Sequence, residues 1–295
     1  MDTEALRTFV MIARTGGFSG AADRMGRSQP AISRRIALLE AELGMPVFER
    51  LPGGVTLSQA GEALLPHAER VLAALEDASS AMRALQAGEG GPISLAVVGT
   101  LAGADLARVL KQFAAQFPKV ALTLRTATSV QISDLVRRGE ATLGLRYFED
   151  PSPDLENRAC APEPLVVVCA PDHALAGGRV ASLRDLKAEL WLGFPPPEGR
   201  DDRWSGMLLA QFLTRGVAQI PFTAVDSLTA QKRLVEAGFG LALMPVSAVA
   251  EERAAASLAA IAVADLAVSN PVSLITRRGG YVSPAARALI EALAA

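Results

Sequence analysis

The sequence predicts an α/β chain of several domains that opens with a winged helix-turn-helix. Three observations carry this. Residues 18–50 hold two helical patterns parted by Gly26 and followed by a short hairpin. Residues 58–87 repeat apolar side chains every seven positions. From residue 93 onward, strand-like and helix-like stretches alternate, as in a layered α/β domain.

Composition sets the outer bounds. The chain has 295 residues, 50% hydrophobic and 20% charged, enough for more than one core. A net charge of −2 excludes a uniformly basic nucleic-acid coat. The charge is uneven, however: Arg24, Arg27, Arg34 and Arg35 crowd around a single acid, Asp23, and lysine is absent before Lys111. Two cysteines, Cys160 and Cys169, make no disulfide framework and fit a reducing compartment. The N-terminus has no basic leader followed by an apolar core, and no run approaches the roughly 20 apolar residues of a membrane span. A cytoplasmic protein with no membrane partner is expected.

Residues 3–13 read as a helix, with Leu6, Phe9 and Val10 at helical spacing and Gly16-Gly17 as its end. Ser19 is placed to cap a second helix packed through Ala21, Ala22 and Met25. Gly26 breaks it. Ser28 is placed to cap a third helix, with Pro30 in the first turn, where a missing N–H costs little. Ile32, Ile36, Leu39 and Leu43 form a stripe that faces a core. Gln29, Pro30, Ser33, Arg34 and Ala37 form another. Gln matches adenine bidentately, Arg matches guanine or phosphate, and Ser serves either, so this second stripe points to double-stranded DNA.

Val47-Phe48 and Val55-Thr56-Leu57 flank Pro52-Gly53-Gly54, a hairpin that makes a wing. Arg50 on it is placed to reach a phosphate or the minor groove. Beyond Ser58, Leu64, Val71, Ala78 and Leu85 fall on one heptad position and Ala68, Leu75 and Met82 on the other. That pattern suggests a two-stranded coiled coil; the alternative is a long helix packed on its own domain. Paired heads suit paired half-sites. Residues 88–92, Gly-Glu-Gly-Gly-Pro, mark the plainest domain boundary.

Together Phe9, Ala21-Ala22, Ser28-Gln29-Pro30-Ala31, Ser33, Leu39-Glu40, Leu43-Gly44, Phe48-Glu49-Arg50, Leu57 and Ala60-Gly61 resemble the winged helix-turn-helix of LysR-type transcriptional regulators. The resemblance covers residues 1–66 closely, and the order of the remaining segments matches as well. It implies a DNA-binding domain at 1–58, a linker and dimerisation helix with its hinge at 59–91, and an effector-binding domain at 92–295. That last domain is expected to be two-lobed, like type 2 periplasmic binding proteins, with lobe I at 92–161 and 268–295 and lobe II at 162–267. The implied partners are a dyad DNA site, a small-molecule effector, RNA polymerase and further copies of the chain in a homodimer or homotetramer. Two features depart from the family pattern: the wing tip Leu51-Pro52-Gly53-Gly54 is less basic than usual, and Ser58 stands where Thr is common.

Within the expected effector domain, residues 93–98, 120–124 and 142–147 read as strands. Helices carry Leu106, Leu110, Phe113 and Phe117, and then residues 130–138. Ligands of open α/β sheets gather beyond the carboxyl ends of strands. Thr100, Thr128, Ser129 and Arg146 stand at those ends. Spacing alone reads the hydroxyls as helix caps; the resemblance makes them effector contacts. Further strands are expected at 165–169, 191–194, 222–225, 240–244 and 268–276, with helices at 205–215, 227–237 and 284–293, the last returning to lobe I. The loop after Phe194 offers Phe194 and Trp204 as apolar walls and Arg200 or Arg203 for an anion; otherwise it is a solvated Pro-rich loop. Gly238-x-Gly240 follows a helix rather than a strand, so it is no dinucleotide motif.

The expected function is sequence-specific DNA binding modulated by a small, anionic effector held between the lobes. One alternative is a redox-responsive regulator switching through Cys160 and Cys169. An enzyme on a binding-protein fold is the other, and it is disfavoured. His67 and His173 are the sole histidines, and no zinc cluster, phosphate loop or Gly-x-Ser-x-Gly elbow accompanies them. No catalytic residue, metal or cofactor is expected.

Overall fold

The computed structural model describes residues 1–51, 54–86, 91–195 and 207–294, with the side chains of Arg50 and Gln86 outside that description. The head starts with α1 (Thr3–Thr15), whose first turn is closed by Asp2 accepting the Ala5 N–H at 2.6 Å. α2 (Phe18–Met25) begins from Gly17, not Ser19, and no side chain caps it. Gly17 supplies the extended N-cap backbone, which leaves Ser19 within the first turn. Gly26, at φ 61, ends α2 in the left-handed conformation that glycine adopts without strain. α3 (Gln29–Leu43) follows, with Ser28 in N-cap conformation but its hydroxyl making no capping bond.

β1 (Phe48–Leu51) and β2 (Gly54–Leu57) pair antiparallel, with Leu51 opposite Gly54, as the wing. α4 (Gln59–Gln86) runs 28 residues. The head's core joins Leu6, Phe9, Ala21, Ile32, Ile36, Leu39 and Val47. Phe48 ties the wing to it, 5.3 Å from the Phe9 ring and edge-on to Phe18 at 5.9 Å. The start of α4 is clamped to the wing. Ser58 donates to the Pro46 carbonyl (2.7 Å) and accepts the Gly61 N–H (3.1 Å). A Cβ on Gly61 would lie 2.1 Å from the Val47 oxygen, so only glycine fits there.

Heptad residues on α4 divide in two. Leu64 and Ala68 pack into the head's core. Further along, Val71, Leu75, Met82 and Leu85 are 45%, 39%, 56% and 75% exposed, an apolar row left open on this one chain.

The second unit begins with β3 (Gly91–Val97), α5 (Ala104–Gln116), β4 (Val120–Thr126), α6 (Ser129–Arg137) and β5 (Leu143–Tyr147). β6 (Leu155–Cys169), β7 (Arg179–Val180), β8 (Trp191–Gly193), α7 (Met207–Leu213), β9 (Phe222–Ala224) and α8 (Leu228–Glu236) come next. β10 (Leu241–Pro245), α9 (Ala250–Ala254), β11 (Ala259–Val263), β12 (Ser269–Arg277) and α10 (Pro284–Ala294) complete it. β3, β4 and β5 are parallel, and β12 lies antiparallel between β5 and β6. On the far half of β6, β10 pairs antiparallel, and β8 and β9 extend that sheet in parallel. β11 takes the other side of that half and carries β7.

β6 is therefore shared. Its first part pairs with β12, up to Pro164 opposite Ser269, and its last part with β10, from Leu165 opposite Pro245. The strand expected at 165–169 is only its end. Pro162, Pro164 and the exposed polar residues before them break the apolar alternation by which a strand is recognised. Each lobe has its own core. In the first, α10 contributes Ala285, Ala286 and Leu289 beside Phe113 and Val136. In the second, Trp191 stands edge-on to Phe212 at 5.2 Å and donates its indole N–H to the Leu186 carbonyl (3.0 Å). Among the described residues, no helix is long and apolar enough to cross a membrane.

Candidate functional site

Two sets of polar residues stand apart from the cores, one on α3 and one at the ends of the parallel strands. On α3 the buried side is Ile32, Ile36 and Leu39, at 2%, 2% and 1% exposure. That burial fixes the rotation of the helix and so presents the opposite edge to solvent. Ser28, Gln29, Pro30, Arg34 and Ala37 are exposed there and Ser33 is partly covered. Gln29 donates its amide N–H to the Ser33 hydroxyl at 3.0 Å, an i,i+4 bond that holds both side chains on one edge. Arg35 is drawn back by Glu4 at 3.1 Å. Arg24, Arg27 and Arg34 make no ion pair among the described residues, so their charge is available to an outside anion. Arg50 lies on β1, and its side chain is outside the description.

The second set lines a cavity of about 360 Å³ between the lobes. Val98, Thr100, Thr128, Ser129, Gln131 and Tyr147 line it from the first lobe, and Phe194, Pro195, Asp226 and Leu228 from the second. A volume in this range accommodates a small molecule. Thr128 and Gln131 form a reciprocal capping box in front of α6. The Thr128 hydroxyl accepts the Gln131 N–H (3.4 Å), and the Gln131 side-chain oxygen accepts the Thr128 N–H (3.0 Å). Thr100 and Tyr147 are 2% and 1% exposed, with their hydroxyl oxygens 2.8 Å apart. Tyr147 also donates to Glu163 on β6 at 2.8 Å, and the other carboxylate oxygen of Glu163 accepts from Ser247 of the second lobe. Burial, and then the charge of Glu163, push the Tyr147 phenol well above its ordinary value, so it stays protonated.

Of the cleft residues expected from sequence, Thr100, Thr128, Ser129 and Phe194 line this cavity. Arg146 does not. Its guanidinium is buried against Asp150 (2.6 Å) and Ser133 (2.8 Å), and it is not among the residues that line the cavity. A buried arginine needs such a partner, and Asp150, four residues further on, supplies it. Arg200, Arg203 and Trp204 lie outside the described residues. Tyr147, Gln131 and Asp226 were not assigned from sequence as ligand contacts. Their signals were present, since Tyr147 ends a strand, Gln131 completes a T-x-x-Q box and Asp226 precedes a helix.

The cysteines are not arranged as a switch. Burial raises both thiols, which disfavours the reactive thiolate. They are nine residues apart on one strand, about 30 Å at the usual rise, whereas a disulfide needs Cα atoms within about 7 Å. Among the described residues no group of three or more His, Cys, Asp or Glu side chains is placed to hold a metal.

Comparison with known proteins bears on both sets. Residues 3–62 match the family model for bacterial regulatory helix-turn-helix proteins of the lysR family, and residues 86–295 match the LysR substrate binding domain. The chain is 32% identical to the HTH-type transcriptional regulator CbbR of Rhodospirillum rubrum, across 98% of this chain and 95% of that one. It is 30% identical to the HTH-type transcriptional regulator TfdS of Cupriavidus pinatubonensis, across 99% and 97%. Among solved structures, full-length CbnR complexed with its target DNA is 27% identical, covers 99% of both chains and superposes with a TM-score of 0.65.

Proposed function

The chain belongs to the LysR family of bacterial helix-turn-helix transcriptional regulators, and on that premise we propose how its two sites divide the work. The exposed edge of α3 enters the major groove of a DNA half-site. Gln29, held by Ser33, reads one base pair, Arg34 grips a base edge or a phosphate, and Ser28, Pro30 and Arg50 complete the contact. The observation that carries this is the pairing of a buried face, Ile32–Ile36–Leu39, with an opposite edge whose Arg34 has no ion-pair partner among the described residues. Residues 1–58 form the DNA-binding head, 59–91 the linker helix and its hinge, and 92–295 the effector domain. The exposed row Val71, Leu75, Met82 and Leu85 is covered by the same row of a second copy, which pairs two heads on a dyad site.

The effector occupies the cavity between the lobes. A ligand shifts the protein only by as much as it binds one arrangement more tightly than the other, so it must contact both lobes. The lining satisfies that requirement, with Thr100, Thr128 and Ser129 on one side and Phe194 and Asp226 on the other. Closure alters packing between effector domains, and the linker helices change the spacing or angle of the heads. RNA polymerase then meets a differently presented promoter. The protein works in the cytoplasm as a regulator and not as an enzyme. Selection of duplexes from a random pool by the full chain tests the head. A dyad-symmetric consensus is expected, relaxed at one position per half-site in Gln29→Ala, and enrichment without symmetry would contradict it.

A further inference from the structure

Hydroxyl groups each have one proton, and in the cleft the destination of that proton can be followed. The Glu163 carboxylate accepts at both oxygens, from Tyr147 and from Ser247. The single phenolic proton of Tyr147 is therefore spent on Glu163. The 2.8 Å contact between Tyr147 and Thr100 is then a bond in which Thr100 donates. With its own proton spent as well, Thr100 turns only lone pairs to the cavity. It accepts and does not donate.

Asp226 has the same polarity. It is exposed on the second lobe's side of the cavity and makes no hydrogen bond or ion pair among the described residues. Among the described residues that line the cavity it is also the one charged side chain, since Arg146 is held elsewhere by Asp150.

The front of α6 has the opposite polarity. The Thr128 hydroxyl accepts the Gln131 N–H and the Ser129 hydroxyl accepts the Tyr147 N–H, both at 3.4 Å. Their protons remain to be given. Ser129 is only 8% exposed and lines the cavity, and the positive end of α6 lies behind it. Val98, Phe194, Pro195 and Leu228 supply apolar wall between these poles.

We propose that the cleft binds a small zwitterion of the amino-acid class. Its ammonium faces Thr100 and Asp226, its carboxylate faces Thr128 and Ser129, and a short apolar side chain lies along Phe194 and Leu228. This rests on the reading of the cavity as the effector site and adds a positive group to the anionic one expected there.

The test uses the full-length chain and thermal unfolding with each standard L-amino acid. Every amino acid that binds is compared with the amine lacking its carboxylate and with the acid lacking its amine. At least one amino acid is expected to raise Tm saturably, with both truncated analogues weaker by about tenfold or more. Asp226→Asn should weaken the amino acid by a similar factor without weakening any binding of the amine-free acid, a selectivity that a merely structural role would not produce. Absence of stabilisation by any amino acid overturns the proposal. So does an amine-free acid that binds as tightly as its amino acid, or an Asp226→Asn variant that binds the amino acid unchanged. Thr100→Val and Ser129→Ala separate the two levels. A ligand that binds both variants at full strength sinks the cleft reading itself. A carboxylate-only ligand lost in either variant sinks the zwitterion alone.

Discussion

On α3, Gln29 and Arg34 stand in solvent with one short bond between Gln29 and Ser33, whereas in the cleft Thr100 and Tyr147 are buried and bonded into a chain that reaches the second lobe. On the proposed function the exposed edge presents charge to DNA, a highly charged polymer, so its contribution is electrostatic and falls with salt. A buried, bonded site presents fixed donors and acceptors to one small molecule. Its contribution is geometric and changes little with ionic strength. The head needs its scaffold fixed and its edge free; the cleft needs its lining fixed.

The largest expected effect breaks the scaffold of the head and spares the cleft. Gly61→Ala drives a Cβ into the Val47 carbonyl and should cost about 3 kcal/mol or more of head stability. Urea unfolding followed by hydrogen exchange should show early loss of protection in α1–α3 and β1–β2, and an unchanged second unit. Gln29→Ala leaves the scaffold intact. It should cost roughly 1–3 kcal/mol against the preferred base pair in competition binding, with little effect on non-specific DNA. Thr100→Val removes the proton that Thr100 donates to the Tyr147 oxygen. About 1 kcal/mol of stability should be lost, together with the response of a reporter promoter to effector, while DNA affinity without effector is retained.

A smaller effect is visible only at alkaline pH. The Tyr147 phenol is raised above its ordinary value of 10.0 by burial and by Glu163, so the folded state holds this proton more tightly than the unfolded chain. The stability it contributes is complete below pH 10 and is lost as pH rises toward the folded value. The stability difference between the wild type and Tyr147→Phe should therefore stay constant from neutral pH to about 10 and shrink beyond it. A difference that stays flat through that range would contradict the buried donor.

How much of this was legible follows the same division. The head's elements declared themselves through apolar spacing at Ile32, Ile36 and Leu39 and through Gly26 and Gly44, because helices built on one buried face advertise it. The start of α2 was misread because an extended glycine fills a cap as well as a serine does. In the second unit, apolar strands such as β3, β5 and β10 were legible, and the first half of β6 was not. There the strand is set by pairing with β12, a partner more than a hundred residues away in sequence. The hydroxyls of Thr100, Thr128 and Ser129 could be placed at strand ends from order alone. The pairing of Arg146 with Asp150 could not, since which way a buried arginine turns depends on the packing around it.

The central claim is that the exposed edge of α3 supplies charge to DNA from an arginine with no ion-pair partner among the described residues of the protein. It is tested most directly by the salt dependence of DNA binding for the wild type and Arg34→Ala. If Arg34 meets a phosphate, the variant should bind more weakly at low salt, and its log–log slope should be shallower by about one unit. Equal affinities and equal slopes for the two proteins would contradict the account.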